Sequence, residues 1–160
     1  MEHAAAKDGL GDGPGARRTY RSFAPEHKIE SLAPEALWQS GLSAFRDNNQ
    51  VEAGLDLLAL ADTFPKSARA PLALYEVGIG AYQNKLYTQT INAYTRLQKD
   101  YPTYNWLAVG YWLGRAYQGT GKMEQARSKW QALVAKAPEI YYGIPAAQSL
   151  RRSQAKPKPF

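Results

Sequence analysis

Residues 114–138 read GRAYQGTGKMEQARSKWQALVAKAP, and their landmarks recur twice upstream. Gly114 has counterparts at Gly78 and Gly41, and Pro138 has counterparts at Pro102 and Pro65, at intervals of 36 and 37 residues. Twelve residues after the glycines stand Ala53, Thr90 and Ala126. Small residues follow each glycine at Ala44, Ala81 and Ala116; large ones recur at Leu57, Tyr94 and Trp130, then at Leu60, Leu97 and Leu133. A period of this length marks a supersecondary unit that buries its apolar face only by stacking on its neighbours.

Each landmark has a physical task. The glycine and its small companions let the first helix of a unit approach the second closely. The large residue four positions after Ala or Thr fills the space so created, and the proline, unable to continue a helix, ends the unit. The pattern resembles the tetratricopeptide repeat, whose period is about 34 residues and whose signature includes Leu-Gly, Ala, an aromatic and a closing proline. The expected fold is therefore all-α, a tetratricopeptide-like right-handed helical superhelix of three helix hairpins plus a closing helix.

The predicted helices span 34–47 and 50–63, 68–84 and 87–100, 104–119 and 122–136, with the closing helix over 139–152. Pro34 suits a first helical turn, and Pro145 falls in the first two turns of the closing helix. Asn48-Asn49, Asn84-Lys85 and Gly119-Thr120-Gly121 supply hairpin turns from residues that tolerate left-handed backbone or cap helices. Residues 1–33, rich in Gly, Ala, Pro and charge, show no periodicity and are expected to form a disordered leader or linker. Residues 34–152 form the repeat domain, and 153–160 (SQAKPKPF) a basic, Pro-containing tail.

The 44% apolar and 21% charged composition is that of a globular chain. No apolar run approaches the roughly 20 residues needed to cross a bilayer, and the opening residues show no secretory-signal pattern. Without cysteine the chain has no disulfide, thiolate chemistry or sulfur-based zinc site. The net charge of +6 divides into zero over 1–33, +2 over 34–150 and +4 over the tail with Arg151 and Arg152. Such a distribution argues against a nucleic-acid binder, which would show a basic stripe on a folded face.

Three constellations resemble chemical sites and are better read otherwise. Gly119-Thr120-Gly121-Lys122 lacks the upstream glycine and the following Ser or Thr of a phosphate loop, because Ala116 and Met123 stand there. His3 and His27 both fall in the leader, away from any core that could hold a triad or a metal. Glu124 and Glu139 open helices, where negative charge is favoured; Glu76 lies within a helix and is given no catalytic role. No cofactor and no metal is expected.

Aromatic residues carry the remaining functional signal, with eleven tyrosines and four tryptophans. Trp112, Tyr117 and Trp130 fall at core positions. Trp38, Tyr75, Tyr82, Tyr111, Arg115 and Gln118 fall where the first helix of each unit would line a concave face, and rings beside Arg or Gln suit sugar rings or a peptide segment. Packing of those rings between repeats is the competing reading.

The run from Tyr111 to Leu150 also resembles the end of the superhelical domain of soluble lytic transglycosylases. The resemblance is carried by Tyr111, Trp112, Gly114, Arg115, Ala116 and Tyr117, by Ala126, Arg127 and Trp130, and by Tyr141, Tyr142, Gly143, Ala146, Ala147 and Leu150. It implies a periplasmic or cell-envelope protein related to enzymes that cleave peptidoglycan glycan strands. In that family the chemistry lies in a following lysozyme-like domain, on a glutamate followed by serine. The one Glu-Ser here, Glu30-Ser31, lies in the leader, so no catalytic residue carries over. The expected function is a non-catalytic scaffold that positions such a domain or a glycan strand. The alternative is a free-standing tetratricopeptide adaptor that binds a protein partner in envelope assembly.

Overall fold

The computed structural model describes residues 12–26, 32–139 and 141–154, together with Glu2, Ala4 and Lys7. Eight helices are delimited among these residues and none of the residues is in a strand: α1 Gly13–Glu26, α2 Leu32–Arg46, α3 Gln50–Thr63, α4 Arg69–Gln83, α5 Tyr87–Asp100, α6 Trp106–Gly119, α7 Met123–Lys136 and α8 Gly143–Gln154. The chain forms two units, Met1–Gly80 and Ala81–Phe160, with the division inside α4.

The second helix of each hairpin stops in the same way. Phe64, Tyr101 and Ala137 each precede a proline, which pushes them out of the helical region. Their backbone sits at φ −126°, −138° and −152° with ψ near 60°. Each still donates its N–H to a carbonyl four residues back, on Leu60, Leu97 and Leu133, at 2.8–2.9 Å. The hairpin turns are equally regular, with left-handed backbone at Asn48 (φ 55°), Lys85 (φ 60°) and Gly121 (φ 77°). Asn49 then caps α3 by accepting the Glu52 N–H at 3.2 Å.

Two of the repeat glycines, Gly41 and Gly114, stand where a side chain has no room. A Cβ at Gly41 would lie 2.8 Å from the Leu57 side chain, and one at Gly114 would enter the Trp130 indole. Both large residues are fully buried. In the second unit Trp130 joins Tyr111, Ala126, Leu133 and Ala146 in a core that Leu107, Trp112, Tyr117, Tyr142 and Leu150 flank.

The first unit corrects the reading of the leader. Residues 13–26, expected to be irregular, form α1. Composition hid two local signals. Asp12 accepts the Gly15 N–H at 2.9 Å and so caps the first turn, in which Pro14 is tolerated. Ala16, Tyr20 and Phe23 fall at i, i+4 and i+7, the spacing of one helical face. Ala16 and Tyr20 are buried and Phe23 is half-buried. The same three lie 37 residues before Ala53, Leu57 and Leu60, so α1 is the second helix of an earlier, degenerate unit. Ala4, 37 residues before Gly41, is buried as well.

Charge completes the attachment of α1. Arg17 donates to Asp47 at 2.5 Å. Arg21 reaches the buried Asp56 through Nε at 2.6 Å and Nη2 at 3.0 Å, and it also pairs with Glu52. Ser40, itself buried, donates its hydroxyl to Asp56 at 2.5 Å.

The closing helix starts four residues later than expected, at Gly143, which places Pro145 in its first turn. Glu139 consequently lies in the turn before α8 instead of opening it. Arg127 of α7 holds the other end of α8 by donating to the Ser153 carbonyl and, at 3.3 Å, to its hydroxyl. Of the expected tail, Ser153 and Gln154 complete α8, and 155–160 lie outside the described residues.

Candidate functional site

Helix α6 sets out the residues around which the candidate site is built. Tyr111 and Arg115, one turn apart, share a face, and Trp112 stands beside Tyr111. Tyr82 comes from the end of α4 and Tyr87 from the first position of α5, across the tight turn at Lys85. Gly119 makes room for Tyr87, since a Cβ there would lie 2.5 Å from the ring. Tyr141 and Tyr142 immediately precede α8.

These rings form one continuous line. Tyr87 meets Tyr82 with centroids 5.5 Å apart, Tyr82 meets Trp112 at 4.9 Å, and Trp112 meets Tyr111 at 5.2 Å. Tyr111 then meets Tyr142 at 5.7 Å, and Tyr142 meets Tyr141 at 5.0 Å, nearly perpendicular. Tilted and edge-to-face contacts of this kind contribute about 0.5–1.5 kcal/mol each beyond burial. Burial grades along the line, from Tyr111 in the core to Tyr141, which is 79% exposed.

Arg115 lies against this line. Its Nη1 donates to the Tyr111 hydroxyl at 3.1 Å, and its guanidinium carbon stands 6.0 Å from the centre of the Tyr111 ring. Burial pulls the guanidinium pKa down, but the hydrogen bond to Tyr111 and the phenols of Tyr82, Tyr111 and Tyr87 outweigh it, leaving the group above its ordinary value. Burial raises the Tyr82 phenol, against the opposing charge of Arg115.

The six residues read from sequence separate between the two units. Tyr82, Tyr111 and Arg115 come together in the second, with Gln118 exposed one turn beyond Arg115. Trp38 and Tyr75 belong to the first. Trp38 is buried, with Arg69 5.1 Å from its ring centre, and Arg69 in turn donates to Glu35 at 2.8 Å. Tyr75 is half-buried on α4. Sequence reading missed Tyr87, whose signal is the pair Tyr82 and Tyr87 straddling a tight turn opposite Gly119. It also placed Trp112 wholly in the core, whereas the half-buried ring bridges Tyr82 and Tyr111.

Gly119–Lys122 forms the α6–α7 hairpin turn, closed by the Lys122 N–H donating to the Tyr117 carbonyl at 2.9 Å. Glu124 is in the first turn of α7 and pairs with Arg127 at 2.8 Å. His3, His27 and Glu30-Ser31 lie outside the described residues. Among the described residues no three His, Cys, Asp or Glu side chains come together to hold a metal ion. None of the described helices is long and apolar enough to cross a membrane.

Glu76 is half-buried on α4, and burial raises its pKa. A carboxyl raised in this way favours folding below its unfolded pKa and loses that contribution as pH rises through the folded value. Glu76→Gln is therefore expected to raise the melting temperature at neutral pH by about 2 °C. The gain should vanish in acid. An equal effect at both pH values, followed by circular dichroism, would contradict the assignment.

Helix hairpins closed by left-handed turns and ended at prolines define a tetratricopeptide-like helical-repeat fold, and comparison with known proteins agrees. A tetratricopeptide-repeat family model matches residues 108–139, which take in most of α6 and all of α7. No curated protein matches. Among solved structures, a crystal structure of MamA is 20% identical, covering 96% of this chain and 88% of its own, with a TM-score of 0.63. MamA from Desulfovibrio magneticus RS-1, from residue 41 onward, is 21% identical over 97% of this chain and 94% of its own, with a TM-score of 0.61. A kinesin light chain from Podosopora anserina with nearly identical tetratricopeptide-like repeats is 14% identical over 95% of this chain and 82% of its own, with a TM-score of 0.63.

Proposed function

We propose that this chain is a non-catalytic helical scaffold that binds a segment of a protein partner along the aromatic line of its second unit. The observation that carries the reading is the grading of that line. Tyr111 anchors it in the core, while Tyr141 leaves most of its ring in water. Rigid rings with exposed edges give a partner contact area at low entropic cost, and stacked helical repeats present surfaces of this kind.

Selection from a random dodecapeptide library on the immobilised chain tests this reading. Selected peptides are expected to bind about tenfold more weakly to Tyr141→Ala, a surface change that leaves the core intact. Tyr82→Ala should weaken them too. A library that yields no binder, or binders indifferent to both substitutions, would sink the reading.

A second reading is kept for one observation: the same rings, with Arg115 beside them, suit the faces and hydroxyls of sugars. Together with the resemblance of residues 111–150 to lytic transglycosylases, this supports a scaffold that guides a peptidoglycan strand, or places a catalytic domain on it, in the cell envelope. Soluble glycan strands should then bind and be lost with Tyr82→Ala or Tyr111→Ala. Peptide binding without glycan binding would eliminate it.

A further inference from the structure

We infer that the partner segment is acidic, and that Arg115 receives one of its carboxylates. This inference rests on the aromatic line being the docking site. Two independent observations carry it.

The first is the distribution of charge between the two units. Residues 81–160 hold twelve Lys and Arg against three Asp and Glu, whereas residues 1–80 hold eight against eleven. The modest charge of the whole repeat region is thus an average over an acidic first unit and a strongly basic second one. Two of the three acids in the second unit are already paired, Asp100 with Arg96 at 3.3 Å and Glu124 with Arg127 at 2.8 Å. The remaining positive charge sets up a field that draws in acidic segments and repels basic ones.

The second is the setting of Arg115. Guanidinium carries five N–H donors in a planar fork. Here one of them meets the Tyr111 hydroxyl, and the neighbouring groups are the phenols of Tyr82 and Tyr87. Phenols accept hydrogen bonds without cancelling charge. No carboxylate pairs with Arg115 among the described residues, although Arg17, Arg21, Arg69, Arg96 and Arg127 each have one. A half-buried guanidinium flanked by rings fits a carboxylate that offers two acceptors in one plane. The rings on either side fit apolar or aromatic side chains flanking that acid.

The same library selection decides the matter through charge. Enriched dodecapeptides are expected to be net negative and to contain an aromatic or large apolar residue. Changing their Asp and Glu to Asn and Gln should weaken binding to the wild-type chain about tenfold or more. Against Arg115→Gln the same change should cost much less, because the two groups act on each other. Binding should also fall as salt rises. Peptides that are neutral or basic yet still depend on Tyr141 would overturn the inference and leave the docking site standing. Absence of any binder would remove the docking site itself. Duplex DNA or phosphatidylserine vesicles that displace the peptides and bind more tightly, through Arg115, would also overturn it. If Arg115→Gln lowers the melting temperature, the acid-to-amide peptides on the wild-type chain decide alone.

Discussion

Gly114→Ala is expected to destabilise the second unit by about 3 kcal/mol, the upper range for overpacking a close-packed core. The added methyl would lie 2.8 Å from both Cδ1 and Cε2 of the fully buried Trp130. The indole is enclosed in the core with Ala126, Leu133, Tyr111 and Ala146. Helix propensity alone predicts the opposite sign, since alanine is favoured over glycine inside a helix by about 1 kcal/mol. Gly54 supplies the control. It too lies inside a helix, but a Cβ there meets nothing within 4 Å, so Gly54→Ala should stabilise by about 0.5–1 kcal/mol. Urea denaturation of the two variants should therefore move in opposite directions. If both are stabilised, the close-approach role of the repeat glycine is wrong.

The other large effect is expected at Arg21. Asp56 is only 4% exposed, and its oxygens are taken up by Arg21 and Ser40. Arg21→Ala leaves that carboxylate in the core with a single hydroxyl donor. Removing one partner of a buried pair costs about 3–5 kcal/mol, and because the Arg21 side chain is itself 37% exposed, water reaches the site and a loss of about 2–3 kcal/mol is expected. Adding Asp56→Leu to Arg21→Met should recover most of it, since an apolar pair of similar volume leaves no buried charge behind. Arg21→Ala should also speed tryptic cleavage at Arg17 and Arg18 as α1 loosens. Unchanged cleavage with unchanged stability would show that α1 is held by its apolar face alone.

Where the repeat landmarks were complete, the sequence was easy to read. Gly41 and Gly114 contact the large residues expected of them, and Phe64, Tyr101 and Ala137 end their helices before proline as the steric argument requires. The helix α1 was illegible by composition because its first turn holds Gly13, Pro14 and Gly15, each common in irregular chain. It was legible by register, in Ala16, Tyr20 and Phe23. The aromatic site was legible in residue type but only partly in place. Helical spacing put Tyr111 and Arg115 on one face. Nothing in it could show that a left-handed Lys85 folds Tyr87 back onto Tyr82, because that contact depends on a turn conformation lysine seldom adopts. Charge misled for a simpler reason, since adding up 34–150 cancelled two units of opposite sign.

The helix α1 bears on how the protein can be divided. A fragment trimmed to residue 34, where regular spacing first becomes obvious, would lack Tyr20 and the cation that neutralises Asp56. Ala33 would go with them, and the buried Ala36 and Leu37 would lie two and three residues from the cut. Such a fragment should associate with itself or with unrelated apolar surfaces, and binding measured on it would report the wound rather than the molecule.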